Sequence, residues 1–571
     1  VFDRYNFTVN EAEPLEKEVA IDPEMLGKVF ENLIEENRRK GLGSFYTPRE
    51  IVHYMCQESI INYLDTAIHS ELGSARAPRA AVGTLADGPG SDAADGLREG
   101  AQTDTRGACA PRIPRADLET FIHLGEQISH YEAVETEYRI KMPKSIKQHA
   151  RLIDEKLADI TICDPAVGSG AFPVGMMTEI VRARSALTNE FNDVHERTPY
   201  HFKRHAIQNC LYGVDIDPGA VEIAKLRLWL SLVVDEEDVK QIKPLPNLDY
   251  KIVTGNSLVG VEKTLFNERL FHQLETLKPL YFDESDSTKK ASLRRQIDDL
   301  IHEITNGKEI FDFEIYFSEV FHGKDGFDVV IQNPPYVQIK GIPPSDRRLY
   351  EERYEFATGR FNLFYLFIER CKLLPRKCGV SSFIIPDRLL LNTQCKAIRA
   401  WLLNENSICE LVSFEDQVFE TAVVDSILLS FQREQRKSEF VRARRKVSQR
   451  DVQKTQPITI PVSYFQLSPS AQFDLNYTAA KHELLKRMAS GGVQLGLISD
   501  TKDGIIQSKI GDLLFLTKRA NADCRKMLVG EDVTRYGITY AGRWVNYQPD
   551  DMMKVERERG GGGLRLRERY I

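Results

Sequence analysis

The segment FDVVIQNPPYV, Phe327 to Val337, places Asn333, Pro334, Pro335 and Tyr336 directly behind a run of apolar residues that reads as a buried strand. That order suits the activation of an amine whose lone pair is delocalised, such as the exocyclic amine of adenine. The Asn333 side-chain oxygen and the Pro334 carbonyl can take the two hydrogens of such an amine. This draws the nitrogen towards tetrahedral geometry and aims its lone pair at an electrophile. Pro335 contributes no N–H, and both rings fix φ near about −65°, so the acceptors are held in place. Tyr336 offers a face for an unstacked base, worth about 1–3 kcal/mol by analogy with single-strand binders.

Three further turns follow strand-like runs. After ADITIC comes DPAVGSGAF, Asp164 to Phe172, in which Gly168 and Gly170 permit a tight turn and a close backbone approach to a ligand at a helix start. After LYGV comes Asp215, placed to accept hydrogen bonds from two ribose hydroxyls. Its distance from the glycines exceeds the usual spacing of roughly 20 residues, and a polar insertion around Asn189–His205 accounts for the difference. After KIVTG come Asn256 and Ser257, whose side chains could bond an adenine edge. Singly, each of these residues also suits a cap or a turn.

These turns need a frame. From about Ala158 to Phe431 the runs ADITICD, LYGVD, YKIVTG, FDVVIQN, VSSFIIP and DSILLSF alternate with amphipathic stretches such as AVEIAKLRLWLSLVV and NLFYLFIERCKLL. Such alternation predicts an α/β fold with a mostly parallel sheet covered on both faces and a ligand beyond the carboxyl ends of its strands. Residues 1–40 are charged, with Met25, Leu26, Val29, Phe30 and Leu33 at helical spacing. Gly73 to Asp117 is rich in Ala, Gly, Asp and Arg without an apolar period, and reads as a disordered insertion.

The 571 residues suggest two to four domains. A composition of 42% hydrophobic and 28% charged residues is that of a globular protein. Without an apolar run of eighteen or a leader, a cytoplasmic protein with no membrane partner is expected. Nine cysteines without a CxxC pair or a Cys/His cluster read as free thiols, with no metal expected. The net charge of −8 leaves DNA open as a partner, because phosphate contact needs only a local basic surface. The basic run Arg433–Lys454 could supply one, or could be a solvated linker. A chain that opens on Val1 and stops after a basic stretch reads as a piece of a longer polypeptide.

With these motifs in view, the chain resembles the amino-methyltransferases that act on adenine in DNA, and within them the Eco57I-like, or type IIG, restriction–modification branch and its phage-defence relatives. The order SFYTPREIVHYM, DPAVGSGAF, YGVDIDPGAVEIAKLRLWL, GNSL, NPPY, FNLFYLFIERCKLL, SSFIIPDRLL is similar to the γ arrangement, in which target recognition follows catalysis. The resemblance implies a Rossmann-like, S-adenosylmethionine-dependent methyltransferase sheet, a helical N-terminal part, and double-stranded DNA with a flipped adenine as substrate. Restriction or defence-system subunits are implied partners. Tyr46, Thr47 and Pro48 would close over the methionine end of the cofactor, and Asp164, Ala166, Gly168 and Gly170 would line it. Asp215 would take the ribose, Ile216 an adenine face, and Asn256 the adenine amino group. Many relatives have Asp where this chain has Asn256, and Cys where it has Val167. Phe419 stands where relatives place a second aromatic against the flipped base, although an ordinary core Phe explains it equally.

The implied domains are 1–72 with the cofactor-closing motif, the insertion 73–117, a catalytic domain 118–435, and the start of a target-recognition domain over 436–571. Two alternatives stand beside this reading. Methyltransferases of protein glutamine N5 share NPPY, but lack both the TPREIV segment and a long C-terminal extension. A non-catalytic DNA specificity subunit would have lost Asn333, Pro334 or the glycines, all of which are present. No Asp…Glu-x-Lys cluster suggests a fused nuclease.

Overall fold

The computed structural model describes residues 47–74, 113–133, 140–192, 196–233, 246–260, 268–305, 307, 310–419, 424–433, 438–468, 470–493, 495–498, 515–534 and 537–546. Tyr46, the helix expected over 1–40 and residues 75–112 of the expected insertion lie outside the described residues. The helices that frame the site are α1 (Arg49–Ser74), α2 (Arg115–Ala133), α3 (Ala171–Ala186), α4 (Pro218–Val233), α5 (Pro344–Arg353) and α6 (Leu363–Arg370). Nine strands form the main sheet: β1 (Ile162–Asp164), β2 (Leu211–Asp215), β3 (Ile252–Thr254), β4 (Phe327–Gln332), β5 (Pro375–Pro386), β6 (Ser407–Phe414), β7 (Ser426–Gln432), β8 (Phe440–Val447) and β9 (Ile458–Pro461).

The sheet order is β3-β2-β1-β4-β5-β7-β6-β8-β9. The first five strands are parallel neighbours, β7 runs antiparallel between β5 and β6, β6 and β8 are parallel, and β9 closes the edge antiparallel. All six expected strands are present. Every residue of β4 is buried, as a strand covered on both faces requires. The chain order reverses at β1, which lies between β2 and β4. The turns behind β1, β2, β3 and β4 therefore converge at one end of the sheet, where ligands of such folds sit. The segment expected as an insertion around Asn189–His205 holds two short helical turns, Thr188–Glu190 and Pro199–His205.

Helix α1 is buried along most of its length, with Ile51, Tyr54, Met55, Ile60, Ile61 and Leu64 at 0–3% exposure and the polar Gln57, Glu58, Ser59 and Asn62 buried beside them. Its polar groups are matched by partners far along the chain. The Tyr54 hydroxyl donates to Glu410 on β6 at 2.5 Å, and Arg444 on β8 donates to both Tyr54 and Glu410. Arg115 at the start of α2 joins Asn62 at 2.7 Å and Glu58 at 3.0 Å. Arg442 on β8 reaches Glu119 at 2.9 Å.

The basic run is therefore not a linker. Its centre is a sheet strand, and two of its arginines neutralise acids within the fold, because a buried carboxylate needs a paired cation. The boundary expected at residues 435 and 436 falls inside this sheet, and the first compact unit continues to His482. Helix α1 extends to Ser74, and α2 begins at Arg115.

The second compact unit, Glu483–Ile571, contains β10 (Phe515–Leu516), β11 (Cys524–Lys526), β12 (Val533–Thr534), β13 (Gly537–Ile538) and β14 (Trp544–Asn546). In it, β14 pairs antiparallel with both β10 and β11, and β12 with β13. Among the described residues no helix is long and apolar enough to cross a membrane, and no cluster of acidic, His and Cys side chains could hold a metal ion. The eight described cysteines are free.

Candidate active site

The loop behind β1 is shaped by its own hydrogen bonds. Asp164 accepts the Ala166 N–H at 3.0 Å, and the Gly170 N–H reaches the Val167 carbonyl at 2.8 Å. Gly168 and Gly170 both lie in the left-handed region, at φ 50° and 86°. At Gly170 there is also no room: a Cβ would stand 2.9 Å from the Ala224 Cβ and 3.0 Å from its Cα on α4. At Gly168 a Cβ would meet nothing within 4 Å, so that face is open. Arg227, buried on α4, donates to the Ser169 carbonyl at 2.9 Å and steadies the loop from behind. Burial holds the Asp164 carboxyl well above the usual carboxylate range.

Asp215, at the end of β2, ties this loop to its neighbour. Its two oxygens accept the Gly168 N–H at 2.8 Å and the Asp217 N–H at 2.9 Å. Burial raises its carboxyl, and these amides partly offset the rise. Each carboxylate oxygen offers about two acceptor directions, so both keep capacity for a ligand hydroxyl.

Behind β3, the Asn256 side-chain oxygen accepts the Leu258 N–H at 3.0 Å while its amide nitrogen donates to the Tyr350 hydroxyl at 3.3 Å. The buried Ser257 hydroxyl donates to the Pro165 carbonyl at 2.6 Å, joining the β3 loop to the β1 loop.

Behind β4, the Asn333 amide nitrogen donates to the Thr47 hydroxyl at 3.1 Å, across 286 residues of sequence. Thr47 is itself buried, just ahead of α1, where the Pro48 carbonyl accepts the N–H groups of Ile51 and Val52. The Tyr336 hydroxyl donates to the Ile384 carbonyl at 3.0 Å. Its half-buried ring meets Phe419 edge-on, centroids 6.0 Å apart at 71°. Phe419 is 2% exposed and sits in the core behind Tyr336.

One cavity of about 400 Å³ collects these turns. Of the residues singled out in the sequence, Thr47, Asp164, Ala166, Gly168 and Asp215 line it, as do Ile216, Asn256, Ser257, Asn333 and Pro335. Pro48, Gly170, Pro334, Tyr336 and Phe419 stand outside its wall. The wall also takes residues that the sequence reading passed over: Val337, Ile342 and Pro343 behind NPPY, and Asp346 and Tyr350 on α5. The signal for the last two is their spacing of four, which puts them on one helix face, but it is hidden in the polar run PSDRRLYEER. The cavity wall combines the carboxylates of Asp164 and Asp215 and the glycine-loop backbone with apolar side chains, Val167, Phe172, Leu363 and Phe367. That donor set and the open glycine fit a nucleoside carrying a charged, flexible tail, which is the chemistry of S-adenosylmethionine.

A sheet whose chain order reverses at β1, with a cavity of nucleoside size lined by the turns behind its strands, is a Rossmann-like arrangement. Residues 209–419 match the Eco57I restriction-modification methylase family, so the resemblance read from the motifs holds over that span. RM.MjaORFECS2P of Methanocaldococcus jannaschii, provisionally described as a type II restriction enzyme and methyltransferase, is 26% identical over 76% of this chain and 40% of its own length. The type II restriction enzyme and methyltransferase RM.Eco57I of Escherichia coli is 24% identical over 50% of this chain and 26% of its own. The adenine-specific methyltransferase PglX of Streptomyces coelicolor is 26% identical over 37% of this chain and 15% of its own. The chain thus spans less than half the length of each of these relatives.

Proposed function

We propose that this chain transfers a methyl group from S-adenosylmethionine to the N6 amine of adenine in double-stranded DNA, as part of a restriction–modification or phage-defence system in the cytoplasm. The observation that carries the reading is the contact between Asn333 and Thr47 at the rim of the cavity. Thr47 holds the Asn333 carboxamide on the cavity wall. With its amide nitrogen on the Thr47 hydroxyl, the side-chain oxygen serves as one acceptor for a target amine and the Pro334 carbonyl as the second. The name of PglX supports adenine as the base.

When bound, S-adenosylmethionine supplies a sulfonium-activated methyl group that needs no further activation. Asp215 holds the ribose, Asp164, Ala166 and the glycine loop line the methionine end, and Ile216, Asn256 and Tyr350 face the adenine end. Asn333 and Pro334 accept the two N–H hydrogens of the target amine and direct its lone pair at the methyl carbon. In that displacement the donor would give up its methyl carbon and release its sulfur as a neutral thioether, while Asn333 and Pro334 hold the amine until it passes one proton to water. Tyr336 supplies the stacking face, with Phe419 packed behind it. Residues 483–571 are assigned to target recognition.

The test is methyl transfer to DNA from labelled donor, with mass spectrometry of the nucleosides, alongside calorimetric donor binding. N6-methyladenine is expected, and Asn333→Ala should abolish it while donor binding persists. A chain that binds no donor, or that labels glutamine amides in protein instead of DNA, would overturn the assignment.

A further inference from the structure

Two pairs of side chains meet on the cavity wall, Thr47 with Asn333 and Asn256 with Tyr350. Tyr350 belongs to α5, which follows the NPPY segment and presents Asp346 and Tyr350 one turn apart on the same face, both on the cavity wall. The Leu258 N–H can face only an oxygen, so the orientation of the Asn256 amide is determined: Oδ1 shapes the turn and Nδ2 holds the Tyr350 hydroxyl. Both polar atoms of Asn256 are thus engaged in building the wall. Asp346 differs. Its carboxylate is half-buried and accepts the Ser345 hydroxyl at 3.1 Å, which occupies one of about four acceptor directions. Its charge also reaches the Tyr350 hydroxyl, adding to the effect of burial in keeping that group protonated.

We infer that Asp346 reads the purine of the bound methyl donor by accepting a hydrogen bond from its exocyclic 6-amino group, which makes the pocket selective for adenine over purines lacking that group. A carboxylate has only acceptors to offer. It attracts an amino N–H, gains nothing from a bare C–H, and repels a carbonyl oxygen at the same position. The inference rests on the donor-binding reading given above.

The test compares S-adenosylhomocysteine with its 6-desamino and 6-oxo analogues by calorimetry on the full chain. The wild-type protein should prefer the amino compound on the order of ten- to hundredfold over the desamino one, the range for a hydrogen bond to a charged group. Asp346→Ala should weaken the amino compound by that factor and leave the desamino affinity unchanged. Asp346→Asn keeps the shape and can turn its amide to donate, so it should bind the 6-oxo analogue better than wild type does. Equal losses for the amino and desamino compounds in Asp346→Ala, or no loss for either, overturn the inference. A wild-type chain that binds none of the three overturns the proposed function itself, and this inference with it.

Discussion

Thr47→Val tests the contact between the segment ahead of α1 and the catalytic loop. Valine keeps the volume of threonine but cannot accept the Asn333 N–H, which now ends on the Thr47 hydroxyl at 3.1 Å. A neutral hydrogen bond of this kind contributes about 0.5–1.5 kcal/mol, a factor of about 2–13 in a population. Without it the carboxamide can turn and present its NH2 to the target amine, a donor facing a donor. The single-turnover rate of methyl transfer should therefore fall by about 2–13-fold, with donor affinity close to that of wild type. A double-mutant cycle sharpens the test, because it isolates the part of the Thr47 effect that passes through Asn333. Because transfer is already abolished in an Asn333→Ala background, the cycle is read in melting temperature, where Thr47→Val should cost nothing more in that background. An undiminished rate in the single variant, or additive losses in the pair, would refute the claim that Thr47 orients Asn333.

Two other outcomes follow from the same geometry. Gly170→Ala combines about 1–2 kcal/mol for a left-handed alanine with about 1–3 kcal/mol for its Cβ lying against Ala224. It should lower the melting temperature and weaken donor binding together; wild-type values for both would show that the loop yields freely. Burial raises the Glu319 carboxyl, but the ammonium groups of Lys278 and Lys251 outweigh that and hold it at about 2. Its folded value lies below the unfolded one of about 4.3, so its contribution is fully present above that pH and disappears as pH falls towards 2. With 28% of the side chain exposed, that contribution is on the order of 1–3 kcal/mol. The stability gap between wild type and Glu319→Gln should be constant above about pH 5 and close between about 4 and 2; a gap insensitive to acid would contradict the pairing.

The turns behind β1 to β4 were legible because each follows a strand-like run and opens on residues that suit a tight turn or a polar contact, and local sequence carries both signals. The second half of the sheet was not. β8 reads FVRARRKV, and its arginines look like a solvated or DNA-facing run until Glu410, Glu58 and Glu119 are brought to them from elsewhere in the chain. Burial of charge depends on long-range partners, so no local pattern reveals it. Asp346 and Tyr350 were missed for a related reason: α5 buries only Tyr350, and so shows no apolar stripe. The Ser257 hydroxyl joins two loops, a partner choice that the GNSL motif does not encode.

The anchoring of α1 also has a temporal side. Tyr54 finds Arg444 only 390 residues later in the chain. At synthesis rates of about 5–20 residues per second, the ribosome needs roughly 20–80 s to bring β8 out after that tyrosine. Throughout that interval the face of α1 that packs on the second half of the sheet lacks its cover, and Thr47 has no Asn333 for most of it. Incompletely covered apolar surface favours association, so a polypeptide that stops ahead of β8 is expected to aggregate more readily than the full chain.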